Sequence, residues 1–234
     1  MNIVSITGTP VQGCTYHMKE RFLAPLRKGN QITEFVLPRD LPHFCCGCKR
    51  CFFESETCCP HAAYTLPLWD AIKRADLLVF ASPVYALRTS GQMKTLLDHL
   101  CCHWMVHRPD KAMFQKRAVI LTNSIGAPNS AAQKDIATSL RWMGISSIRR
   151  VGIGLMEGVI WDELSEKRRQ QIEQRIDRLS RRYARFTPAR TGLRVRLYFE
   201  MSRLMHKRVL KQESTPSTDN QHWIDQEWIT PPNS

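Results

Sequence analysis

The chain has 234 residues, 43% of them hydrophobic, which is enough for one sizeable α/β domain, or one domain with an extension, around a real core. Its formal net charge is +13, but 15 Lys and Arg against 4 Asp and Glu between Ser165 and Lys211 account for +11 of it, so the rest is close to neutral. No apolar run reaches the roughly 18 residues of a membrane span, and no charged region precedes an apolar stretch at the start, so a cytoplasmic protein is expected. Its nine cysteines then read as thiols or metal ligands rather than a disulfide framework.

Strand and helix signals alternate. Asn2 to Thr7, with Ile, Val and Ile, reads as a strand buried on both faces. Ile32–Leu37, Asp76–Ala81, Arg117–Asn123 and Ile145–Leu155 read as four more. Helices are expected over Tyr16–Lys28, Leu66–Ala75, Gly91–Cys102 and Ser130–Met143. Right-handed crossovers then give an α/β sandwich of three layers around a five-stranded parallel sheet. The flavodoxin-like strand order 2-1-3-4-5 places a ligand where the winding reverses, at the carboxyl ends of the first and third strands.

The first such loop holds Gly8, Thr9, Pro10, Gln12, Gly13, Cys14 and Thr15 and leads into a helix at Tyr16. Strand, tight loop and helix N-terminus form an anion site, because the first helical amides lack partners and carry the positive end of the dipole. A plain strand-to-helix turn with a threonine cap has the same appearance. After the third strand come Pro83, Val84 and Tyr85, and after the fourth Asn123, Ser124 and Gly126. An aromatic face and a set of polar groups beside an anion site point to a planar phosphate ester.

GTPVQGCT, CCGCKRCFFESETC, ADLLVFASPVYALRTSGQMKTLLDH, HRP and TNSIGA, in that order, resemble the NADPH-dependent FMN reductases of the flavodoxin superfamily, and most closely the iron-sulfur flavoprotein branch. The resemblance covers Asn2 to Met156. It implies FMN with its phosphate in Thr9 to Thr15 and its ring against Pro83–Tyr85 and Asn123–Gly126, with NAD(P)H as electron donor. Such relatives commonly carry Gly-Ser-Pro-Arg in the first loop. Here Thr9, Pro10 and Val11 stand instead, with no basic residue before Lys19, and Cys14 replaces the usual asparagine. The phosphate would then depend on amides, hydroxyls, Gln12 and the dipole. Hydride transfer to a flavin calls for no side-chain acid or base of obvious identity, so no catalytic residue is nominated.

Cys45-x2-Cys48-x2-Cys51-x6-Cys58 suits a [4Fe-4S] cluster, with Cys46 and Cys59 as adjacent spares. Zinc, or thiols that bind no metal, are the alternatives. A cluster beside FMN converts a two-electron input into single-electron output. The spacing of His99, Cys101, Cys102, His103, Trp104 and His107 argues against a metal site. Trp104 with its neighbours reads as a lid or dimer contact near the flavin, while His107-Arg108-Pro109 has no legible role.

Trp161 to Phe186 predicts a long helix with Ile172, Ile176, Leu179 and Tyr183 on one stripe, closing a domain of residues 1–186 that carries a cysteine-rich insertion at 43–60. Residues 187–234 form a basic arm and tail. Within them Gly192–Leu210 is a basic amphipathic helix suited to packing across a homodimer or higher homo-oligomer, or to peripheral membrane contact. Trp223 and Trp228 suggest that the tail is anchored. A sequence pI near 9.6 fits nucleic acid, but no matching recognition motif accompanies it, so no nucleic-acid partner is expected. Two functions remain. One is an FMN-dependent oxidoreductase passing electrons from NAD(P)H to flavin, quinone or another acceptor. The other is an electron carrier between redox-protein partners.

Overall fold

The β-branched run at the start forms β1 (Asn2–Thr7), flanked in parallel by β2 (Gln31–Val36) and β3 (Leu77–Tyr85). β3 turns back into a two-residue antiparallel partner, β4 (Arg88–Thr89). The sheet continues outward from β3 through β5 (Arg117–Ile125) to β6 (Ser147–Leu155). The computed structural model describes residues 1–155, 160–185 and 187–231. The path β2-β1-β3-β5-β6 is the flavodoxin-like order read from the sequence, once the short β4 is set aside.

Period-two alternation sends odd and even strand residues to opposite layers. Val4, Ile6, Leu78, Phe80, Ala118 and Ile120 face α3 (Ala62–Arg74), α4 (Gly91–His99) and α5 (Ser130–Trp142). Ile3, Leu77, Val79, Val119, Leu121 and Val151 face α1 (Cys14–Leu23) and α6 (Glu166–Arg181). Both faces are covered, as the continuous apolar strands require. A short helix, α2 (Arg50–Phe53), sits in the cysteine segment, and α7 (Leu193–Leu210) and α8 (Thr218–Asp225) follow α6. Leu210, Trp223 and Ile229 form a third, smaller core with Phe199 and Trp228 packed against it. The paired tryptophans thus anchor the tail, and Trp223 donates its indole N–H to the His107 carbonyl at 2.7 Å. Among the described residues no helix is long and apolar enough to cross a membrane.

Three local expectations are corrected. Ser82-Pro83-Val84-Tyr85 continues β3 rather than forming a loop. Gly8 N–H binds the Ala81 carbonyl, so Ala81 points toward β1, and alternation sends Pro83 the same way, past the end of β1. The missing N–H of Pro83 therefore costs no ladder bond. Second, Trp161–Glu163 is a separate 3-10 turn, and α6 starts only after Ser165, whose hydroxyl accepts from Arg168 N–H. Phe186, the expected helix end, lies outside the described residues. Third, α4 ends at His99 and passes into a 3-10 turn, Leu100–His103, that faces inward. His99, Cys102 and His103 are buried, whereas Cys101, Trp104 and His107 are half-buried.

Candidate functional site

The loop after β1 is held by a network of small side chains. Ser90 caps α4, accepting from Met93 N–H, and donates its hydroxyl to the Gly8 carbonyl at 2.7 Å. A Cβ on Gly8 would stand 2.6 Å from that hydroxyl, so only glycine lets α4 approach so closely. Ser82 joins the network through Thr89 at 2.9 Å and Ser90 at 3.3 Å. Beyond Gly8, Thr9 is buried and its hydroxyl accepts from Val11 N–H, while Pro10 and Gln12 are exposed. Gly13 occupies the N-cap of α1 with no side-chain cap, and the first turn contains no acid. The positive end of the helix is therefore not neutralised by a side chain of its own N-cap or first turn. Thr15 is buried, Tyr16 is half-buried, and Cys14 is buried as a member of the core between α1 and α6. Lys19 does not compensate for the missing basic residue. Its ammonium is buried between Glu20 and Glu34, 2.6 Å from each.

The β3–β4 hairpin projects from the same edge of the sheet. Its two turn residues, Ala86 and Leu87, have φ of +47° and +64°, the left-handed region that non-glycine side chains disfavour. Arg88 and the Thr89 amide both engage the Asp135 carboxylate on α5, which holds the hairpin against that helix. Pro83 is buried, Val84 half-buried and Tyr85 half exposed.

β5 also runs further than expected, to Ile125. The Asn123 amide donates to the Ile153 carbonyl on β6 at 3.4 Å, and the Ser124 hydroxyl donates to the Ala127 carbonyl and accepts from the Asn129 amide. Both side chains are buried, Asn123 bonded to β6 and Ser124 to the loop that follows, while Gly126 (φ +65°) is exposed, with its N–H donated to the Leu155 carbonyl. The proposed flavin residues of the three segments therefore lie at the carboxyl ends of adjacent strands β1, β3 and β5. Large apolar side chains stand exposed at this edge: Val11 at 62%, Tyr85 at 50%, Leu87 at 59% and Ile125 at 60%. Sequence reasoning missed Val11, Leu87 and Ile125, since an apolar residue in a turn has no signature until its neighbours are known.

The cysteine segment forms a second constellation. Gly47 and Lys49, lying in the two gaps of the C-x2-C-x2-C run, both adopt left-handed φ (+65° and +63°). Such alternation curls a backbone into a concavity with its amides inward, a form common at iron-sulfur sites. Cys45, Cys46, Cys48, Cys51, Cys59 and Cys102 line one cavity, with His61 and His99 also in its wall. Cys58 is not among its lining residues, and its thiol hydrogen-bonds Glu54 instead. A hydrogen bond with Cys102, aided by the Arg108 guanidinium, brings the Cys51 thiol down to about 7 despite its burial, while the Cys102 thiol is pushed up. Burial and the neighbouring thiols raise Cys59. Beside Cys59, the donor atoms of Cys59, His61 and His99 lie within 4.8 Å of one another.

The structure gives the HRP segment a role that the sequence left blank. Arg108, 5% exposed, binds the carbonyls of Cys51 and Phe52 and the carboxylates of Glu56 and Asp219. His107 pairs with the same Asp219 at 2.7 Å, and the Thr218 hydroxyl donates to the Phe53 carbonyl. One buried guanidinium thus ties the cysteine loop to α8. His103 stacks on Trp69 with ring centroids 3.8 Å apart, and burial there holds it down to about 3 although Glu56 pulls the other way.

Comparison with known proteins agrees with this geometry. A family model described as NADPH-dependent FMN reductase matches residues 1–156. An iron-sulfur flavoprotein of Archaeoglobus fulgidus is 26% identical over 172 residues, covering 73% of this chain and 76% of that one. Among solved structures, an NAD(P)H:quinone oxidoreductase from Methanothermobacter marburgensis superposes with a TM-score of 0.61 at 17% identity, over 80% of this chain and 98% of the other. An FMN-dependent NADH-azoreductase from Bacillus anthracis in complex with FMN gives 0.59 at 11% identity, over 78% and 99%. These two likenesses concern the fold.

Proposed function

Because the chain belongs to the NADPH-dependent FMN reductase family, we propose that it is an oxidoreductase that binds FMN at the carboxyl edge of β1, β3 and β5 and receives electrons from NAD(P)H. The observation that carries this reading is that Val11, Tyr85, Leu87 and Ile125 stand exposed at the sheet edge where α1 begins with a glycine N-cap and no acid in its first turn. Amides of the first turn, with the hydroxyls of Thr9 and Thr15, would hold the phosphate. The apolar side chains would cover the ring and exclude water, and the backbone about Gly126 would meet its polar edge. When bound, FMN supplies the hydride acceptance and the one- or two-electron release. Titration of FMN into the protein, followed by quenching of flavin fluorescence, tests the site. Tyr85→Ala should weaken binding about tenfold, as expected for losing a ring contact worth about 1 kcal/mol or more. Unchanged affinity would remove the ring site from the proposal.

The thiols fit a [4Fe-4S] cluster, since Cys45, Cys46, Cys48, Cys51, Cys59 and Cys102 line one cavity and Cys51 is already acidified. The ligands we propose are Cys45, Cys48, Cys51 and Cys59, with Cys59 favoured over Cys58 because only Cys59 faces the cavity. Anaerobically purified protein should contain about four irons per chain, and Cys59→Ser should lose iron while Cys58→Ser keeps it. The reverse result would restore Cys58. A second reading, a mononuclear metal on Cys59, His61 and His99, is favoured by their proximity. His99 donates Nδ1–H to the Thr95 carbonyl, which turns Nε2 toward His61 at 3.1 Å. Zinc without iron in the purified protein would support it. Steady-state NAD(P)H oxidation with free flavin or quinone separates an enzyme with a small-molecule acceptor from a carrier that turns over only with its protein partner.

A further inference from the structure

α7 is packed along one side only. Val195, Ser202, His206 and Leu210 are buried, and Phe199 stacks on Trp223 with centroids 5.1 Å apart. On the far side Leu193, Leu197, Met201 and Leu204 are exposed at 83, 58, 55 and 63%. Steps of four, four and three residues keep them on one stripe. Arg194, Arg196, Lys207 and Arg208 are exposed around it, and Arg203 pairs with Glu200, the only acid in the helix. Beside the helix lies an open groove of about 500 Å³ lined by Phe114, Phe199 and Trp228, with Lys111 and Arg196 among its walls.

We propose that this face of α7 docks on an anionic lipid bilayer, with the Leu/Met stripe entering the acyl boundary and the flanking cations meeting the headgroups. Two features select lipid over other occupants. A second copy of α7 would bring five Arg and Lys against an identical five, with a single acid on each helix to offset them. The stripe is also built of flexible Leu and Met, side chains that adapt to a fluid apolar phase without a fixed complementary surface. The adjacent groove is lined by Phe114, Phe199 and Trp228 with Lys111 and Arg196, and its one acid, Glu200, is paired with Arg203, so it suits one acyl chain beneath an acidic headgroup. Trp228 there is the residue type enriched at membrane interfaces.

The test is co-sedimentation of the full chain with vesicles of phosphatidylcholine, alone or with about 30 mol% phosphatidylserine. Binding is expected only to the anionic vesicles, with loss at about 0.5 M salt as the surface charge is screened. Leu197→Glu and Met201→Glu should each reduce vesicle binding at least tenfold while leaving the melting temperature and FMN affinity unchanged. Sedimentation equilibrium of the same proteins without vesicles supplies the second readout. Absence of binding to anionic vesicles would overturn the proposal, as would equal binding to both kinds. Full binding by Leu197→Glu would remove the stripe from it. Conversion of a dimer to a monomer by Leu197→Glu, with no vesicle binding by the parent protein, would assign the face to a second copy of the chain instead.

Discussion

The edge that carries the candidate flavin site and the loop that carries the cysteines are built by opposite means. At the edge, topology does most of the work. Three adjacent parallel strands end together, and small groups such as Gly8, Ser82 and Ser90 let their loops close on one another. The cysteine loop has little regular structure, only the four residues of α2 and a 3-10 turn at Glu56–Cys58, and its shape rests on one distant side chain. Arg108 reaches it from 52 to 57 positions away in sequence and fastens it to α8 at Asp219. A site made by converging strand ends tolerates sequence change at many positions. A site made by a buried ionic hub fails at one.

The largest effect should therefore come from Arg108→Ala. It strips the guanidinium from Glu56 and from Asp219, which keeps its contact with His107, and leaves two loop carbonyls without their donor. Removing one partner of a buried ion pair costs about 3–5 kcal/mol. Urea denaturation should register that loss, and bound iron should fall with it. Retention of iron at parent stability would show that the loop is shaped by the cysteines themselves.

Gly8→Ala is the matching change at the edge. Its Cβ would meet the Ser90 hydroxyl at 2.6 Å and Met93 Cβ at 3.1 Å. Overpacking of this kind costs about 1–3 kcal/mol. FMN affinity should drop as the loop shifts, with iron content unchanged, measured on one sample by flavin and iron release.

A pH series separates the two regions further. His103, held down to about 3, stays neutral in the native state, whereas the unfolded chain protonates near 6.5. Between those values the unfolded state binds the extra proton, so stability falls as the pH drops through this window, by at most about 1.4 kcal/mol per pH unit. His103→Gln should flatten this part of the profile in denaturation curves taken from pH 7 to 4. The smallest effect belongs to Leu87→Gly. Relief of the left-handed strain should stabilise the protein by about 1 kcal/mol, less the entropy glycine adds to the unfolded chain. If the strained turn positions Tyr85, the same variant should bind FMN more weakly as its melting temperature rises.

The strand order was legible because continuous β-branched runs alternate with amphipathic helices, and parallel strands leave few topologies open. The positions of Thr9, Gly13 and Thr15 at a helix N-terminus were legible for the same local reason. SPVY was misread because proline breaks a ladder only when its N–H faces a neighbour, and which way Pro83 faces depends on where β1 stops. Cys58 and Cys59 are adjacent and chemically identical, so spacing alone does not separate them, whereas their side chains leave the backbone in different directions. HRP was silent because the partners of Arg108 are remote in sequence.

By itself, then, the sequence determined what period and local geometry can carry: the parallel sheet, the order of its strands, the anion-suited start of α1 and a compact run of thiols. Tertiary structure alone decided which thiols share a cavity, that Arg108 joins them to α8, that Lys19 is held by Glu20 and Glu34, and which face of α7 remains exposed. The reason is physical. Periodicity is a property of neighbours along the chain, whereas a buried charge or a metal-ready cluster is defined by groups that meet only after the chain has folded.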